Sequence, residues 1–89
     1  MIYLVSFDPH KVDANGLHET IKNSELITDW WHYLGSTYLV SSTAPTAKKL
    51  QLDIQKKWSA QRFLVVEVNL PNSEGWLPEK AWEWIRKHS

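Results

Sequence analysis

Cysteine is missing from the 89 residues of this chain. Without a thiol there can be no disulfide, no thiolate metal ligand and no cysteine nucleophile. Neither sign of charge is in excess, because ten basic residues balance ten acidic ones and the formal net charge is zero. Strongly electrostatic binders of nucleic acid or of membrane surfaces usually carry a basic excess, so this balance argues against one. A local basic patch is still compatible with it.

Long apolar runs are also missing, and none approaches the ~18 residues that a membrane-spanning helix needs. The opening residues 1–5 are apolar with no charged segment ahead of them, which predicts no signal peptide and a cytoplasmic protein. A chain of this length buries only about 60–65% of the surface that its unfolded form exposes. We therefore expect one domain over residues 1–89, with no deep cavity for an organic cofactor and no association with membranes.

Turn residues divide the chain into segments whose apolar patterns predict the order β-α-β-β-α-β, followed by a further helix. Strands are expected over residues 2–7, 29–34, 37–41 and 62–68. Helices are expected after Asp13 or Asn15, after residues 43–46, and from Pro78 to about Lys87, with Pro45 and Pro78 at first helical positions. This order predicts an α+β, ferredoxin-like fold, in which an antiparallel four-stranded sheet carries two helices on one face. The core spans about residues 1–70 and a helical tail spans about 76–88.

The first strand is apolar on both of its faces. Ile2 and Leu4 point to one face, while Tyr3, Val5 and Phe7 point to the other. The sheet face without the two main helices must therefore be covered, and a second protomer, the last helix or a ligand could cover it. Of these we expect a second protomer, which makes the protein a homodimer.

Tryptophan is unusually abundant, with six copies, and three of them lie within residues 76–84. Steps of three and four residues in this tail connect Leu77, Ala81, Trp84, Ile85 and His88. This spacing predicts a helix that docks its aromatic side on the sheet or on a protein partner. Glu79 and Glu83 on the polar side argue against a helix that lies on a membrane surface, which is usually basic.

Four further aromatic residues lie in the expected hairpin, namely Trp30, Trp31, Tyr33 and Tyr38. Exposed aromatic side chains on a sheet of this kind can stack nucleic-acid bases. Residues 35–40 lack the Arg/Lys-Gly-aromatic pattern that RNA-recognition motifs have on this strand. Packing in the core or in a protein interface is therefore the favoured interpretation.

Asp8 ends the first strand, where a carboxylate lies at the rim of the sheet. Carboxylate oxygen is a hard ligand that suits Mg²⁺ or Mn²⁺. Two such groups across a two-fold axis could hold an ion that activates water at a phosphodiester. The alternative is that Asp8-Pro9 ends the strand and begins a turn.

Basic residues offer candidate phosphate contacts at three places. Lys11 follows Asp8 closely, Lys48 and Lys49 lie early in the second helix, and Arg62 opens the fourth strand. Each of these four basic residues could meet a nucleic-acid backbone. Each also fits an ordinary solvated surface.

Two stretches give the chain a likeness to known proteins, namely Tyr3-Leu4-Val5-Ser6-Phe7-Asp8 and Gly35-Ser36-Thr37-Tyr38-Leu39-Val40. Over about residues 1–68 the chain resembles the small CRISPR-associated ferredoxin-like nucleases and the related virulence-associated protein D ribonucleases. Residues 30–34 and the tail 75–84 resemble uncharacterised SinR-like bacterial proteins of the same superfamily. No helix-turn-helix pattern accompanies that likeness.

The resemblance implies that Asp8 is the catalytic and metal-binding residue, paired with Asp8 of a second protomer, with Mg²⁺ or Mn²⁺ as cofactor. It also implies Ser36 as a polar contact to RNA or DNA. The tail departs from the pattern of the CRISPR-associated members of that family. In those proteins the fourth strand is followed by a fifth strand, which exchanges across the dimer. Two functions are therefore expected as alternatives. One is a metal-dependent endonuclease acting on RNA, and the other is a non-catalytic dimeric module or scaffold that binds a protein partner through the sheet face and the Trp-rich tail.

Overall fold

A computed structural model of the chain describes residues 1–59 and 61–89. The elements follow the predicted order, and the structure belongs to the α+β class. Their bounds are β1 Ile2–Phe7, α1 Ala14–Asn23, β2 Ile27–Leu34, β3 Thr37–Ser42, α2 Ala47–Lys57, β4 Phe63–Glu67 and α3 Glu79–Lys87. The four strands form one open antiparallel sheet in the order β2-β3-β1-β4.

β1 lies inside the sheet and pairs with β3 on one side and β4 on the other. Tyr3 is opposite Val40 of β3 and Glu67 of β4. The predicted alternation along β1 is confirmed, because Tyr3, Val5 and Phe7 are buried while the residues between them are half-buried. The strand therefore contributes side chains to both faces of the sheet.

The helices α1 and α2 pack on one face of the sheet and enclose the main core. Each helix turns an apolar stripe towards β1 and β3, as the three- and four-residue spacing predicts. The buried members of this core include Tyr3, Val5, Phe7, Leu17, Ile21, Tyr38, Val40, Leu50, Ile54 and Trp58.

Helix α1 begins at a side-chain cap, as predicted. The Asp13 carboxylate accepts a hydrogen bond from the backbone N–H of Gly16 at 3.0 Å. Of the two capping candidates, Asp13 and Asn15, it is therefore Asp13 that caps the helix. At the start of α2, the Thr46 hydroxyl accepts from the N–H of Lys49 at 3.2 Å. Each cap satisfies a backbone donor that the first helical turn leaves without a partner.

Both predictions of proline at a first helical position are wrong. Pro45 lies before the cap residue Thr46, and Pro78 is itself the cap residue of α3. Pro78 has an extended ψ of 151°, and its carbonyl accepts from the N–H of Ala81 at 3.0 Å. Proline fits this position because the cap residue needs no N–H donor and its φ of −58° lies in the range of the ring.

Two strands are longer than predicted and one is shorter. β2 begins at Ile27 rather than residue 29, and β3 ends at Ser42, because Ile27 pairs with Ser42. β4 spans Phe63–Glu67 only. The ends of these strands are set by pairing between strands, and the local sequence of one strand does not reveal that pairing.

The last helix covers part of the second face of the sheet. A smaller core forms there from Trp31, Leu39, Leu70, Ala81 and Ile85. The indole N–H of Trp31 donates to the carbonyl of Ala81 at 3.2 Å. Near the end of α3, His88 Nε2 lies 3.2 Å from the Asp29 carboxylate of β2. The prediction that the tail docks as a helix on the sheet is therefore confirmed.

α3 contacts β2, so its cover is concentrated on that side of the sheet. Leu64 and Val66 of β4 stay exposed. Within residues 1–59 and 61–89, none of the helices combines the length and apolar content needed to cross a bilayer.

Candidate functional site

Four of the residues predicted to form a site gather at one end of the sheet. Asp8 follows β1 directly, and the N–H of the preceding Phe7 donates to the carbonyl of Ser36 at 3.0 Å. On the other side of β1, Phe7 lies opposite Phe63 of β4, and Arg62 comes directly before Phe63. The N–H of Lys11 donates to the Asp8 carbonyl at 3.2 Å. We refer to Asp8, Lys11, Ser36 and Arg62 as the Asp8 rim.

The Asp8 carboxylate stabilises the turn that follows β1. Its Oδ1 accepts a hydrogen bond from the N–H of His10 at 3.0 Å, and the Asp8 side chain is half-buried. An aspartate that bonds the backbone two residues ahead is a common way to begin a turn. This geometry is the structural alternative to a metal ligand.

The oxygen donors of the Asp8 rim suit Mg²⁺ or Mn²⁺ by type but are few. Within the described part of the chain, no three His, Cys, Asp or Glu side chains come together where they could hold a metal. Asp8 and the Ser36 hydroxyl are hard donors of the kind these ions prefer. A divalent ion there would need a second carboxylate from another molecule.

Lys48 and Lys49 lie at the opposite end of the sheet from Asp8. They begin α2, which follows the end of β3, and Ser42 in that end donates its N–H to the carbonyl of Met1 at 2.8 Å. The six residues of β1, about 20 Å of strand, therefore separate these lysines from the Asp8 rim. The five residues predicted to contact nucleic acid do not form one strip.

A second cluster, on the helix-bearing face, surrounds the buried phenol of Tyr38. His18 Nδ1 lies 3.0 Å from the Tyr38 hydroxyl, and the His32 ring stacks on Tyr38 with centroids 3.9 Å apart. Trp30 meets His18 edge-on at 5.1 Å. Burial raises the pKa of Tyr38 above its ordinary value, so this phenol is neutral at physiological pH.

Sequence reasoning did not find the Tyr38 cluster, because its histidines lie on different elements. The only available signal was that Trp30 and His32 are two residues apart on one strand and therefore share a face. The four hairpin aromatics divide between core and surface. Trp31 and Tyr38 are buried and Trp30 is half-buried, whereas Tyr33 is 43% exposed.

An apolar groove lies on the second face of the sheet, beside α3. Its volume is about 300 Å³, and we call it the α3 groove. Apolar residues make most of its lining, among them Leu4, Trp31, Leu39, Leu77, Trp82 and Ile85. Polar side chains border it along the segment before α3, among them Asn69, Asn72 and Glu74. Concave apolar sites with a few polar groups at the edge are typical of binding sites.

The α3 groove continues into exposed apolar surface on the same face. Leu4 in the groove lies opposite Val66 of β4, which is 40% exposed. Leu64, two pairs further along β4 and so on the same face, is 60% exposed, and Leu34 at the groove itself is 48% exposed. We call Leu64 and Val66, which are neighbours on β4, the apolar strip.

Trp76 is the most exposed large apolar residue in the described part of the chain. Its side chain is 99% exposed. It lies in the segment before α3, between Glu74 and Leu77, both of which line the α3 groove. Trp76 precedes the docked helix α3 and is not one of the residues of its predicted apolar stripe.

Comparison with known proteins gives no assignment, since no family model, no curated protein and no solved structure matches the chain.

Proposed function

We propose that the chain is a non-catalytic, dimeric protein-interaction module that binds through the second face of its sheet and its Trp-rich tail. One observation carries this proposal: the α3 groove continues into the apolar strip and lies beside the exposed Trp76. Contiguous apolar surface of this kind, with polar groups at its edge, marks an interaction site in most proteins. A zero net charge also lets two copies approach without repulsion.

The fold that we assign to this module is ferredoxin-like. What supports the assignment is the strand order β2-β3-β1-β4 with antiparallel neighbours. In this order α1 connects β1 and β2 across β3, and α2 connects β3 and β4 across β1. Two interleaved β-α-β units of this kind define the split arrangement. A cytoplasmic location fits a chain without cysteine, since disulfides are the usual staples of small proteins in oxidising compartments.

The test of the proposed function is the oligomeric state of surface variants, measured by sedimentation velocity over a range of concentrations. Leu64→Lys places a charge in the apolar strip and is expected to shift the protein from dimer to monomer. Leu52→Lys is the matched control, because Leu52 is 52% exposed on α2 and leaves the second face untouched. A wild-type protein that stays monomeric at all concentrations, or two variants that behave alike, would overturn the proposal.

A second candidate function is a metal-dependent endonuclease acting on RNA. The observation in its favour is that Ser36 and Arg62, each directly before a strand that pairs with β1, flank Asp8. In this candidate, Asp8 of each protomer would hold Mg²⁺ or Mn²⁺, and the likeness to CRISPR-associated and virulence-associated D nucleases would be a family relationship. The hydrogen bond from His10 to the Asp8 carboxylate and the distance of Lys48 and Lys49 favour the interaction module instead.

Cleavage of labelled RNA and duplex DNA separates the two functions. Purified protein is incubated with Mg²⁺, Mn²⁺ or EDTA, and Asp8→Asn is compared with Glu83→Gln, which changes an exposed carboxylate of α3. The interaction module predicts no cleavage by any of the three proteins. Metal-dependent cleavage that Asp8→Asn abolishes and Glu83→Gln retains would establish the nuclease.

A further inference from the structure

The Trp76 side chain is large and apolar, and it makes no contact that would explain its exposed position. We call this side chain the knob. A tryptophan is among the largest apolar side chains, and one that is buried removes about 150–250 Å² from water. Here the side chain is 99% exposed. Tryptophan is also enriched in the most strongly contributing positions of protein interfaces.

The α3 groove matches the Trp76 side chain in size and in apolar character, and we call it the hole where it receives this side chain. Its volume of about 300 Å³ admits one indole ring, and the apolar residues Leu4, Trp31 and Leu39 are part of its lining. Asn69, Asn72 and Glu74, whose side chains carry hydrogen-bond acceptors, are also among its lining residues. An indole that enters would therefore find apolar walls for its ring and acceptors for its N–H.

Knob and hole are adjacent on the same molecule but are not in contact. Glu74 and Leu77, on either side of Trp76, line the groove, yet the Trp76 side chain itself is free of it. A surface that carries a knob beside its own hole is self-complementary under a two-fold rotation. The rotation places the knob of each copy over the hole of the other.

We propose that Trp76 of each protomer inserts into the α3 groove of a second copy of this chain. This inference rests on the proposed dimeric function and names the contact that forms the dimer. The apolar strip lies next to the groove and would be covered by the same association. Since the net charge of the chain is zero, no net charge repulsion between two copies opposes this association.

Isotope-filtered NMR on a mixed dimer tests the contact directly. One half of the sample is labelled with ¹³C and ¹⁵N and the other half is unlabelled, so that filtered cross-peaks arise only between chains. We expect cross-peaks between the Trp76 ring of one chain and the methyl groups of Leu4 and Leu39 of the other. Cross-peaks from Trp76 to these methyls within one chain alone would show a lid over its own groove and would overturn the proposal.

Complementary variants give a second test by sedimentation. Trp76→Ala removes the knob and is expected to raise the dimer dissociation constant at least about 30-fold, as for a strong interface position. Trp76→Phe keeps an aromatic ring and is expected to retain most of the affinity. Thr37→Trp fills the groove and is expected to weaken the dimer by a similar factor. Thr37→Val is its control, because valine has the size of threonine and leaves the groove open.

Mixing Trp76→Ala with Thr37→Trp is the decisive arm, because one chain then supplies a groove and the other a knob. The mixture is expected to associate more tightly than either variant alone, and equal association would contradict the insertion. Thermal melts establish that each variant is folded before its association is measured.

The outcomes separate the Trp76 contact from the proposed function. If Leu64→Lys dissociates the dimer and Trp76→Ala leaves it intact, the Trp76 contact is refuted while the proposed function stands. A monomeric wild-type protein refutes both the Trp76 contact and the proposed function. A small apolar molecule that saturates the groove without changing the oligomeric state assigns the groove to a ligand and refutes the insertion of Trp76.

Discussion

At the scale of single residues, Gly16 is restricted by its neighbours rather than by its backbone. Its N–H donates to the Asp13 cap. A Cβ built on Gly16 would lie 2.3 Å from Asp13 Oδ2 and 3.2 Å from Trp58 Cδ1. Alanine is normally favoured over glycine in a helix by about 1 kcal/mol. The lack of space here outweighs that preference, because the Asp13 carboxylate that would have to move is the helix cap, and Trp58 behind it is part of the core.

Gly16→Ala is therefore expected to destabilise the protein by about 1–2 kcal/mol, the range associated with a lost helix cap. Urea unfolding followed by circular dichroism measures the change. Gly35→Ala is the matched control, since a Cβ there meets nothing within 4 Å. If Gly16→Ala proved as stable as the wild type, the Asp13 cap would contribute little.

Tyr3 and Tyr38 give the protein an alkaline limit. Burial raises the pKa of both phenols, and for Tyr3 the nearby Glu67 carboxylate raises it further. Their folded-state pKa values lie above the unfolded value of about 10, so the unfolded chain loses these protons first. The free energy of unfolding is unaffected by them below about pH 10 and falls as the pH rises through the folded pKa.

We expect Tyr38→Phe to reduce this loss of stability above about pH 10, measured by chemical denaturation at each pH. Tyr33→Phe is the control, because Tyr33 is 43% exposed. The Phe variant also loses the contact between the Tyr38 hydroxyl and His18, so its stability at neutral pH is measured as the reference. An unchanged alkaline slope in Tyr38→Phe would contradict the argument.

Individual residues also show how far sequence reasoning reaches. The side-chain alternation of β1 was predictable, because a strand has a period of two and its apolar run is clear. The cap position of Pro78 was not predictable. Proline fits both the cap and the next residue, and only the bond from Ala81 to the Pro78 carbonyl distinguishes them.

At the scale of elements, α3 is attached to the sheet mainly by apolar packing. Ala81 and Ile85 are buried on one side of the helix, against Trp31 and Leu39. The polar contacts from Trp31 to Ala81 and from His88 to Asp29 fix the position along β2. Short helices are only marginally stable alone, so α3 depends on this docking.

Ile85→Ala is expected to destabilise the protein by about 2–4 kcal/mol, because Ile85 is 6% exposed and truncation leaves a cavity under the helix. Leu52→Ala, at a residue that is 52% exposed, is expected to change stability by less than about 1 kcal/mol. Urea unfolding compares the two variants. Equal effects would show that α3 contributes little to the fold.

The helix itself could be predicted from the spacing of its apolar residues, but its placement could not. Nothing local in the tail indicates that it packs against β2 and leaves Leu64 and Val66 exposed. That choice depends on Trp31 and Asp29, which are distant in sequence. Tertiary contacts of this kind decide element placement and are invisible to periodicity.

At the scale of the whole molecule, charge balance separates the two proposed functions. Apolar association between neutral copies involves little counterion release, whereas binding to nucleic acid weakens steeply with salt. We expect the dimer dissociation constant to change by less than about threefold between roughly 0.05 M and 0.5 M NaCl. Sedimentation equilibrium over this range measures it. A steep loss of the dimer with salt would instead indicate an interface held by charges.

The gathering of the Asp8 rim was partly predictable and its extent was not. Asp8 at the end of a central strand implies neighbours at the adjacent strand ends, and Ser36 and Arg62 are found there. Lys48 and Lys49 were grouped with them by charge alone. The direction of α2 relative to β1 carries these lysines to the other end of the sheet.

The central position of β1 has a consequence for synthesis of the chain on the ribosome. β1 is made before the other three strands of the sheet, yet Tyr3 must wait for Val40 and then for Glu67 before both edges of the strand are paired. At roughly 5–20 residues per second, this interval lasts about 3–13 s. During it, α1 can coil locally, while the nascent β1 presents two unpaired edges. The newborn chain is therefore most in need of a chaperone before its fourth strand emerges.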